Sequence, residues 1–366
     1  MARNVILSKV LLWPLSKLFG LGVAFRNYLF ERKLLLKQTE FDIPVIVVGN
    51  IAVGGTGKTP HVEYVTSLLR ENHHLAVLSR GYRRKTKGFV LASGRSKPDD
   101  IGDEPFQIFQ KFGSDVRVAV CEKRVEGINK LREIDKDIDI VVLDDAFQHR
   151  YVKPKVAIVL TEYSRPAFTD SLMPYGRLRE PASAISRADI VVVTKCPVNM
   201  KPMEYRIFKE SLNLFPYQKL FFSRYVYGHL VPVFPERATS IPYPEWFTEK
   251  DSVLIVTGIA NPRPFVRHIR RYKAKVRLIR FHDHVNFTAA DIDAIRRKFA
   301  GLTGSHRYII TTEKDAVKLS HSPYFPPELQ NKTFYLPVSV EFVPPVGDEP
   351  GFDDALKKSI NNTNLY

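Results

Sequence analysis

The chain has 366 residues, which is enough for two domains with a core each. Its 44% hydrophobic and 26% charged residues are typical of a globular protein, whereas the net charge of +16 excludes a neutral surface. Such a charge predicts a polyanionic partner, namely a nucleic acid, an acidic lipid or a phosphorylated substrate, and composition does not choose among them. Two cysteines, Cys121 and Cys196, are too few for a disulfide framework and lack metal-ligand spacing, which indicates a reducing cytoplasm.

The first 37 residues are dense in apolar side chains that basic residues interrupt. The longest run without a charge is 18–25, far short of the roughly 20 residues that span a bilayer. We therefore expect an amphipathic segment that lies in a membrane interface, with Trp13, Phe19, Phe25 and Phe30 as anchors. A core helix, a true membrane span and a signal peptide remain alternatives for this segment.

A buried strand, a glycine-rich loop and a helix follow one another at the centre of the sequence. Residues 43–48 are apolar and mostly β-branched, and the helix is predicted from Thr59 to about Arg70. The glycines between them let the backbone turn its N–H groups toward a phosphate, and the N-terminus of the helix adds partial positive charge. In that arrangement Lys58 reaches the outer phosphates, and the Thr59 hydroxyl binds Mg²⁺.

The loop therefore predicts a site for a nucleotide such as ATP. The residues expected to bind the nucleotide are Ala52, Val53, Gly54, Gly55, Thr56, Gly57, Lys58 and Thr59. Ala52 departs from the usual pattern, which has a glycine five positions before Gly57, but three glycines remain in the loop.

Strand-like and helix-like segments alternate through the first half of the chain. The predicted strands are 43–48, 75–79, 116–121, 138–143, 156–160 and 190–193, and helices are predicted at 104–112 and 124–133. This alternation predicts an α/β fold with a mostly parallel sheet and helices on both faces. A smaller second αβ unit starts near residue 253, after a segment that reads as a linking β-ribbon.

The expected organisation has four parts. They are an N-terminal membrane-interface segment at 1–37, a phosphate-loop domain at 38–215, a smaller αβ domain with its ribbon at 216–345, and a C-terminal tail at 346–366 that we expect to fray.

Polar residues follow the predicted strands at the point where each strand ends. Arg80 and Tyr82 follow the second strand, Arg124 follows the third, and Asp144 and Asp145 follow the fourth. Because the carboxyl ends of parallel strands meet at one edge of a sheet, these side chains are expected near the phosphate loop. An acid at the tip of a buried strand supplies a second Mg²⁺ contact in phosphate-loop enzymes, and the sequence does not say which aspartate does so.

Three weaker signals remain ambiguous by themselves. Gly102-Asp-Glu-Pro105 opens a helix and is typical of an N-terminal cap with an acidic first turn. Thr194-Lys195 is half of a guanine-reading motif, but Cys196 stands where an aspartate is expected, which argues against GTP. Phe281-His-Asp-His284 carries two histidines without a third ligand at matching spacing, which does not favour a metal site.

The motifs become specific when they are taken together. In chain order they are Val48-Gly-Asn-Ile-Ala-Val-Gly-Gly-Thr-Gly-Lys-Thr-Pro60, Leu78-Ser-Arg-Gly-Tyr82, Gly102-Asp-Glu-Pro105, Asp144-Asp-Ala-Phe-Gln-His149, Leu178-Arg-Glu-Pro181, Asp283-His284 and Thr312-Glu-Lys-Asp315. This set resembles the tetraacyldisaccharide 4′-kinase family of lipid A biosynthesis over about residues 5–320. Ala146 departs from the family motif, which has glycine there, although alanine is nearly as small.

The resemblance implies an enzyme with a P-loop NTPase-like fold, in which two αβα domains are joined by a ribbon and the active site lies in the cleft. It implies transfer of the ATP γ-phosphate to the 4′-hydroxyl of an acylated glucosamine disaccharide 1-phosphate, with Mg²⁺, to give lipid IVA. The place would be the cytoplasmic face of the bacterial inner membrane, with the enzyme peripheral or anchored by its N-terminal segment. We expect a monomer and no nucleic-acid partner.

The resemblance also implies roles for individual residues. Asp103 would act as the base on the sugar hydroxyl with support from His284, and Lys58 would offset charge on the transferring phosphoryl group. The candidate metal ligands are Thr59, Asp144, Asp145 and Glu104. The candidate contacts to the substrate headgroup are Arg80, Tyr82, Arg124, His149, Arg179 and Glu180.

A second hypothesis of another class is a membrane-recruited regulatory ATPase that transfers phosphate only to water. Such switches often carry a lysine at the start of the glycine loop, where this chain has Val53. Fast ATP hydrolysis without a lipid acceptor would favour this alternative.

Overall fold

The computed structural model describes residues 2–32, 37–283, 285–345 and 349–362, with the backbone alone for residues 2–11. The chain divides into two compact units. The first unit consists of residues 1–101, 108–225 and 340–366, and the second consists of residues 102–107 and 226–339.

Helices and strands alternate along most of the described chain. In order they are α1 (Ala2–Glu31), β1 (Val45–Asn50), α2 (Lys58–Leu69), β2 (Leu75–Ser79), β3 (Val90–Leu91), α3 (Pro98–Ile101), α4 (Asp103–Phe112), β4 (Arg117–Val120), α5 (Arg124–Ile134), β5 (Ile140–Asp144), β6 (Val156–Glu162), β7 (Ile190–Thr194), α6 (Pro202–Leu212), β8 (Lys219–Tyr227), β9 (Val231–Pro232), β10 (Ser252–Thr257), α7 (Arg263–Ile269), β11 (Lys275–Arg280), α8 (Ala289–Ala300), β12 (Arg307–Thr312), α9 (Glu313–Ser320), α10 (Pro327–Gln330), β13 (Thr333–Leu336), β14 (Val338–Phe342) and α11 (Phe352–Asn361). Short 3₁₀ helices cover Ala167–Thr169, Ala182–Arg187, Pro235–Arg237 and Pro244–Trp246.

The large sheet of the first unit has the strand order β14-β8-β7-β6-β1-β5-β2-β4-β3. Strands β8 through β4 in this order pair in parallel, and β3 pairs antiparallel to β4. All six residues of β1 are buried. Val45 and Val47 face one core while Ile46 and Val48 face the other, which is why this strand is apolar throughout and does not alternate with polar residues.

The register of the central strands brings the two strongest sequence motifs together. Strand β1 pairs with β5 so that Val48 lies beside Asp144. The phosphate loop starts where β1 ends, and the paired aspartates start where β5 ends. The prediction of an α/β fold with a mostly parallel sheet and helices on both faces is therefore confirmed.

The C-terminal segment differs from the expected fraying tail. Residues 352–361 form α11, and Phe352, Leu356 and Ile360 are buried in the core of the first unit. The spacing of four residues places these three side chains on one face of a helix, which the Pro, Asp and Asn content of the segment had obscured. Residues 346–348 and 363–366 lie outside the described part of the chain.

The N-terminal helix α1 packs one face against the first unit and exposes the other. Its buried side chains Ser16, Val23 and Phe30 recur every seven residues, and Ser16 Oγ donates a hydrogen bond to the Leu172 carbonyl at 2.8 Å. Phe30, expected as a membrane anchor, instead packs edge-on against Tyr151 at 5.1 Å between ring centroids.

The opposite side of α1 is apolar and exposed. Its large exposed apolar side chains are Trp13, Leu15, Leu18, Leu21, Phe25 and Tyr28, and Lys17 is exposed among them. Among the residues that the structure describes, no helix combines the length and apolar character that a membrane crossing requires.

The second unit is built on a smaller sheet with the order β11-β10-β12-β13-β9. Its strands pair in parallel except for β9, which runs antiparallel to β13. Helices α8 and α9 contribute to the core on one face, and α7 contributes to the core on the other. The segment that reads as a linking β-ribbon in the sequence is divided, since β8 belongs to the large sheet and β9 to the small one.

Candidate active site

The glycine-rich loop of the first unit leads from the end of β1 into the N-terminus of α2. Gly54 and Gly57 adopt φ angles of 109° and 92°, in the left-handed region that side-chain-bearing residues rarely adopt. A Cβ atom on Gly57 would also run into the hydroxyl of Tyr225. A Cβ atom on Gly55 would meet nothing within 4 Å, so the backbone there borders open space. These features fit a loop that curves around a phosphate.

The loop is fixed from its inner side by buried hydrogen bonds. Asn50 Nδ2 donates to Thr56 Oγ1 at 2.6 Å, and Thr194 Oγ1 donates to the Thr56 carbonyl at 2.8 Å. The segment before Gly54 pairs with residues 177–179, because Val53 N donates to the Arg177 carbonyl at 2.8 Å and Arg179 N donates to the Ile51 carbonyl at 2.7 Å. The irregular loop around Arg179 is thereby held beside the phosphate loop.

Lys58 and Asp145 form the centre of the charged cluster. Lys58 Nζ lies 3.6 Å from Asp145 Oδ2, and Arg179 Nη2 lies 2.8 Å from Asp145 Oδ1. Burial raises the pKa of the Asp145 carboxyl, but the charges of Lys58 and Arg179 outweigh it, and the pKa lies below its ordinary value. Asp145 is therefore an ionised carboxylate with two cations beside it.

Asp144 lies deeper than its neighbour. Its side chain is 1% exposed, and Ser79 Oγ donates to its Oδ2 at 3.2 Å. Arg124, itself 2% exposed, donates to the Asp144 carbonyl at 3.4 Å and to the Cys121 carbonyl at 2.9 Å. Burial lowers the pKa of Arg124 to about 10, so its guanidinium stays charged at neutral pH.

His149 extends the same cluster. Burial, followed by the charges of Arg124 and Arg80, lowers the pKa of His149 to about 4, so the imidazole is neutral at pH 7. Its Nε2 atom is buried and has no hydrogen-bond partner among the described residues. A buried polar atom of this kind is suited to a bound ligand. Arg80 and Tyr82 are exposed at the end of β2.

Glu180 differs from the expectation of a substrate contact. It is completely buried, with Arg26 at 2.9 Å on one carboxylate oxygen and Arg187 at 2.5 Å on the other. The two arginines neutralise its charge inside the first unit, and the ion pairs connect α1 to the 3₁₀ helix at Ala182–Arg187. The geometry argues against contact between Glu180 and a substrate.

The oxygen donors of the first unit fit a magnesium ion. Asp144 ends β5 and Asp145 follows it directly, while Thr59 lies in the first turn of α2. Their carboxylates and hydroxyl suit Mg²⁺, which is commonly held by one or two carboxylates together with phosphate oxygens. In the described ranges no group of three or more His, Cys, Asp or Glu side chains could hold a metal ion. Glu104 pairs with Lys314 at 3.1 Å in the second unit, which argues against Glu104 as a metal ligand.

Asp103 also belongs to the second unit, in the first turn of α4. Its Oδ2 atom lies 2.9 Å from Lys318 Nζ on α9. His284, expected to support Asp103, lies outside the described residues.

Lys195 contacts the glycine-rich loop but was not among the predicted site residues. Lys195, at the end of β7, donates to the Gly55 carbonyl and lies 3.3 Å from Glu162. The signal was present, since Thr194-Lys195 ends a strand at the same sheet edge as the loop. It was considered only as part of a base-reading motif.

Known proteins resemble the whole chain. The family model described as "LpxK: Tetraacyldisaccharide-1-P 4'-kinase" matches residues 8–361. A tetraacyldisaccharide 4'-kinase of Bacteroides thetaiotaomicron is 46% identical over 338 residues, covering 91% of this chain and 88% of the relative. One of Phocaeicola vulgatus is 43% identical over 370 residues and covers both chains completely.

A solved structure agrees with these relatives. It is described as the "apo" form of LpxK from Aquifex aeolicus in complex with ATP, and it superposes with a TM-score of 0.70 at 27% identity, covering 98% of each chain. With a family model that spans nearly the whole sequence and relatives of this identity, the chain belongs to the tetraacyldisaccharide 4'-kinase family and is a kinase.

Proposed function

We propose that this kinase uses ATP and Mg²⁺ to phosphorylate the 4′-hydroxyl of an acylated glucosamine disaccharide 1-phosphate, which gives lipid IVA. The observation that carries the proposal is the ionised pair of Lys58 and Asp145 directly behind a glycine loop that borders open space. The names of the relatives and the ATP in the Aquifex aeolicus structure support it.

The phosphate loop and Lys58 would bind the β- and γ-phosphates of ATP. The loop N–H groups and the N-terminus of α2 offer positive partial charge, and Lys58 adds a full charge where negative charge develops on the transferring phosphoryl group. When bound, Mg²⁺ would neutralise phosphate oxygens, and Thr59 with Asp144 or Asp145 would hold it.

Asp103 is the proposed acceptor of the substrate proton, with His284 as its support. The sugar 4′-oxygen forms a bond to the γ-phosphorus, the bond from that phosphorus to the β-γ bridging oxygen breaks, and ADP leaves. The hydroxyl proton passes to the Asp103 carboxylate. A carboxylate that is held in a fixed position is suited to this role, because a base that is already aligned with the hydroxyl loses little freedom of motion in the transition state.

The basic residues of the first unit would bind the phosphorylated headgroup of the lipid. Arg80 and Tyr82 are exposed at the end of β2, while Arg124 and the neutral His149 lie deeper. Arg179 forms an ion pair with Asp145, so a bound phosphate would interact with an arginine that also contacts this carboxylate. Glu180 is left out because it is buried between two arginines.

The exposed apolar side of α1 would hold the enzyme at the cytoplasmic face of the inner membrane. Trp13, Leu18 and Phe25 are between 52% and 65% exposed, and exposed apolar side chains that are grouped on one helix mark an interaction surface. A helix that is packed on one side and exposes apolar side chains on the other can lie in the interface plane without crossing the bilayer. Such a position would hold the enzyme where its lipid substrate lies.

The decisive experiment incubates the protein with labelled ATP, Mg²⁺ and the disaccharide 1-phosphate in detergent. We expect a doubly phosphorylated lipid, and we expect Asp103→Ala to abolish its formation. Fast ATP hydrolysis without any lipid, unchanged by Asp103→Ala, would instead favour a regulatory ATPase.

A further inference from the structure

Two lysines on α9 of the second unit each pair with one of two consecutive acids. Lys318 Nζ lies 2.9 Å from Asp103 Oδ2, and Lys314 Nζ lies 3.1 Å from Glu104 Oε1. Residues four apart on a helix lie on the same face, so α9 presents both ammonium groups to the first turn of α4.

The Lys318–Asp103 pair is largely shielded from solvent. The Lys318 side chain is 7% exposed and that of Asp103 is 17% exposed. Lys318 Nζ also donates to the Val285 carbonyl at 2.9 Å, which fixes the ammonium from a second direction. Ion pairs that lose their water in this way are costly to form and add little net stability, so a role in orientation is the better explanation.

Helix α9 is itself anchored at its N-terminus. Thr312 Oγ1 accepts from Asp315 N at 3.2 Å, and Gly258 N donates to Asp315 Oδ2 at 2.9 Å. Asp315 is 1% exposed, so the helix is tied to the carboxyl ends of strands β12 and β10 through buried contacts. Lys318 therefore stands one turn beyond a rigid attachment point.

We propose that Lys318 is a positioning residue for Asp103, which rests on the function proposed above. By holding Oδ2, the ammonium fixes the rotation of the carboxylate about its side-chain bonds. The carboxylate then meets the sugar hydroxyl in one orientation, and less rotational freedom is lost at the moment of reaction. Lys318 itself does not contact the reacting atoms.

The test compares Lys318→Met and Lys318→Arg in the lipid kinase assay. Methionine keeps the length and the apolar stem of lysine but removes the charge. We expect kcat of Lys318→Met to fall about 10- to 100-fold, which is the effect of a misplaced catalytic group. KM for ATP and for the lipid should stay within about twofold of the wild-type values. Arginine restores the cation, so Lys318→Arg should recover most of kcat. Lys298→Met is the matched control, because Lys298 also donates to a backbone carbonyl, that of Leu278 at 2.8 Å.

A double-mutant cycle separates positioning from a structural effect. If Lys318 acts through Asp103, Lys318→Met has no further effect on kcat in an Asp103→Asn background. Multiplicative losses in the double variant, or a wild-type kcat for Lys318→Met, would overturn the proposal. The function proposed above fails separately if Asp103→Asn alone keeps wild-type kinase turnover.

Discussion

The Lys58 ammonium lies 3.6 Å from the Asp145 carboxylate, so the cation expected to bind phosphate already has an anionic neighbour within the protein. Asp145 also pairs with Arg179 and keeps a low pKa, which makes it a permanent counter-charge. A bound nucleotide must share Lys58 with Asp145. This arrangement holds the lysine at the mouth of the phosphate loop before ATP arrives.

Replacement of Lys58 by methionine should remove most of the kinase activity. The loss of one preorganised positive group at a developing charge costs about 3–4 kcal/mol, or roughly 10² to 10³ in kcat. Steady-state kinetics with the lipid substrate measures it. Lys153→Met serves as control, because Lys153 forms an exposed pair with Glu40 in the same unit. A Lys58→Met enzyme with wild-type kcat would contradict the assignment.

Protonation of His61 should destabilise the first unit in mild acid. His61 Nδ1 lies 2.7 Å from the Gly57 carbonyl and Nε2 lies 2.9 Å from Ser223 Oγ, and burial lowers its pKa to about 4. Because the folded pKa lies below the unfolded value of about 6.5, the unfolded state binds the proton first. The stabilisation is complete above about pH 6.5 and is lost as the pH falls toward 4, by about 3 kcal/mol at most.

The measurement is the free energy of unfolding by urea between pH 7.5 and pH 4.5, for the wild type and for His61→Gln. The glutamine variant should lose part of the pH dependence, whereas His229→Gln, which changes an exposed histidine, should keep the wild-type slope. Equal slopes for all three proteins would rule out His61 as the cause.

Replacement of Glu180 by glutamine should destabilise the protein and loosen α1. The change leaves Arg26 and Arg187 beside a buried neutral group, and breaking a buried ion pair costs about 3–5 kcal/mol. Thermal unfolding and hydrogen exchange along α1 report the two effects. Glu31→Gln, which removes an exposed carboxylate 3.6 Å from Arg150, should change stability by less than about 0.5 kcal/mol.

Truncation of Leu356 on α11 should cost as much as a core mutation elsewhere. Leu356 is 0% exposed, and a buried leucine replaced by alanine loses about 2–5 kcal/mol. Lys357→Ala, one position further along the same helix and exposed, should be nearly neutral. If both variants unfold at the wild-type denaturant concentration, α11 does not belong to the folded core.

The exposed side of α1 should determine membrane binding. A variant with Leu18, Leu21 and Phe25 changed to serine should lose most of its binding to vesicles that contain anionic lipid, because those side chains supply the apolar area. Its turnover on a detergent-dispersed lipid should stay near wild type. The matched control changes Val198, Met203 and Ile207, which are also exposed and apolar in the first unit. Equal loss in both triple variants would argue against a specific role for α1.

Much of the first unit could be predicted because its signals are local. A run of β-branched residues forms a buried strand wherever it stands, and glycines at fixed spacing before Lys58 and Thr59 form a phosphate loop through backbone geometry alone. The end of each strand followed from the same runs. For this reason the sequence could predict the α/β class, the glycine-rich loop after β1 and the position of the paired aspartates at the end of β5.

The ion-pair partners of individual charged residues could not be predicted from the sequence, because they come from distant parts of the chain. Glu180 meets Arg26 across 154 positions, and Lys314 meets Glu104 across 210 positions. Neither spacing leaves a periodic pattern, so Glu180 and Glu104 looked like exposed functional acids. The burial of α11 did leave a pattern, since Phe352, Leu356 and Ile360 recur every four residues, but a helix this short is stabilised by the surface that it covers rather than by its own propensity. The sequence by itself determined which local elements form and which polar residues follow the end of each strand. Only the tertiary structure decided which charged side chains pair with one another, because pairing depends on distance in space.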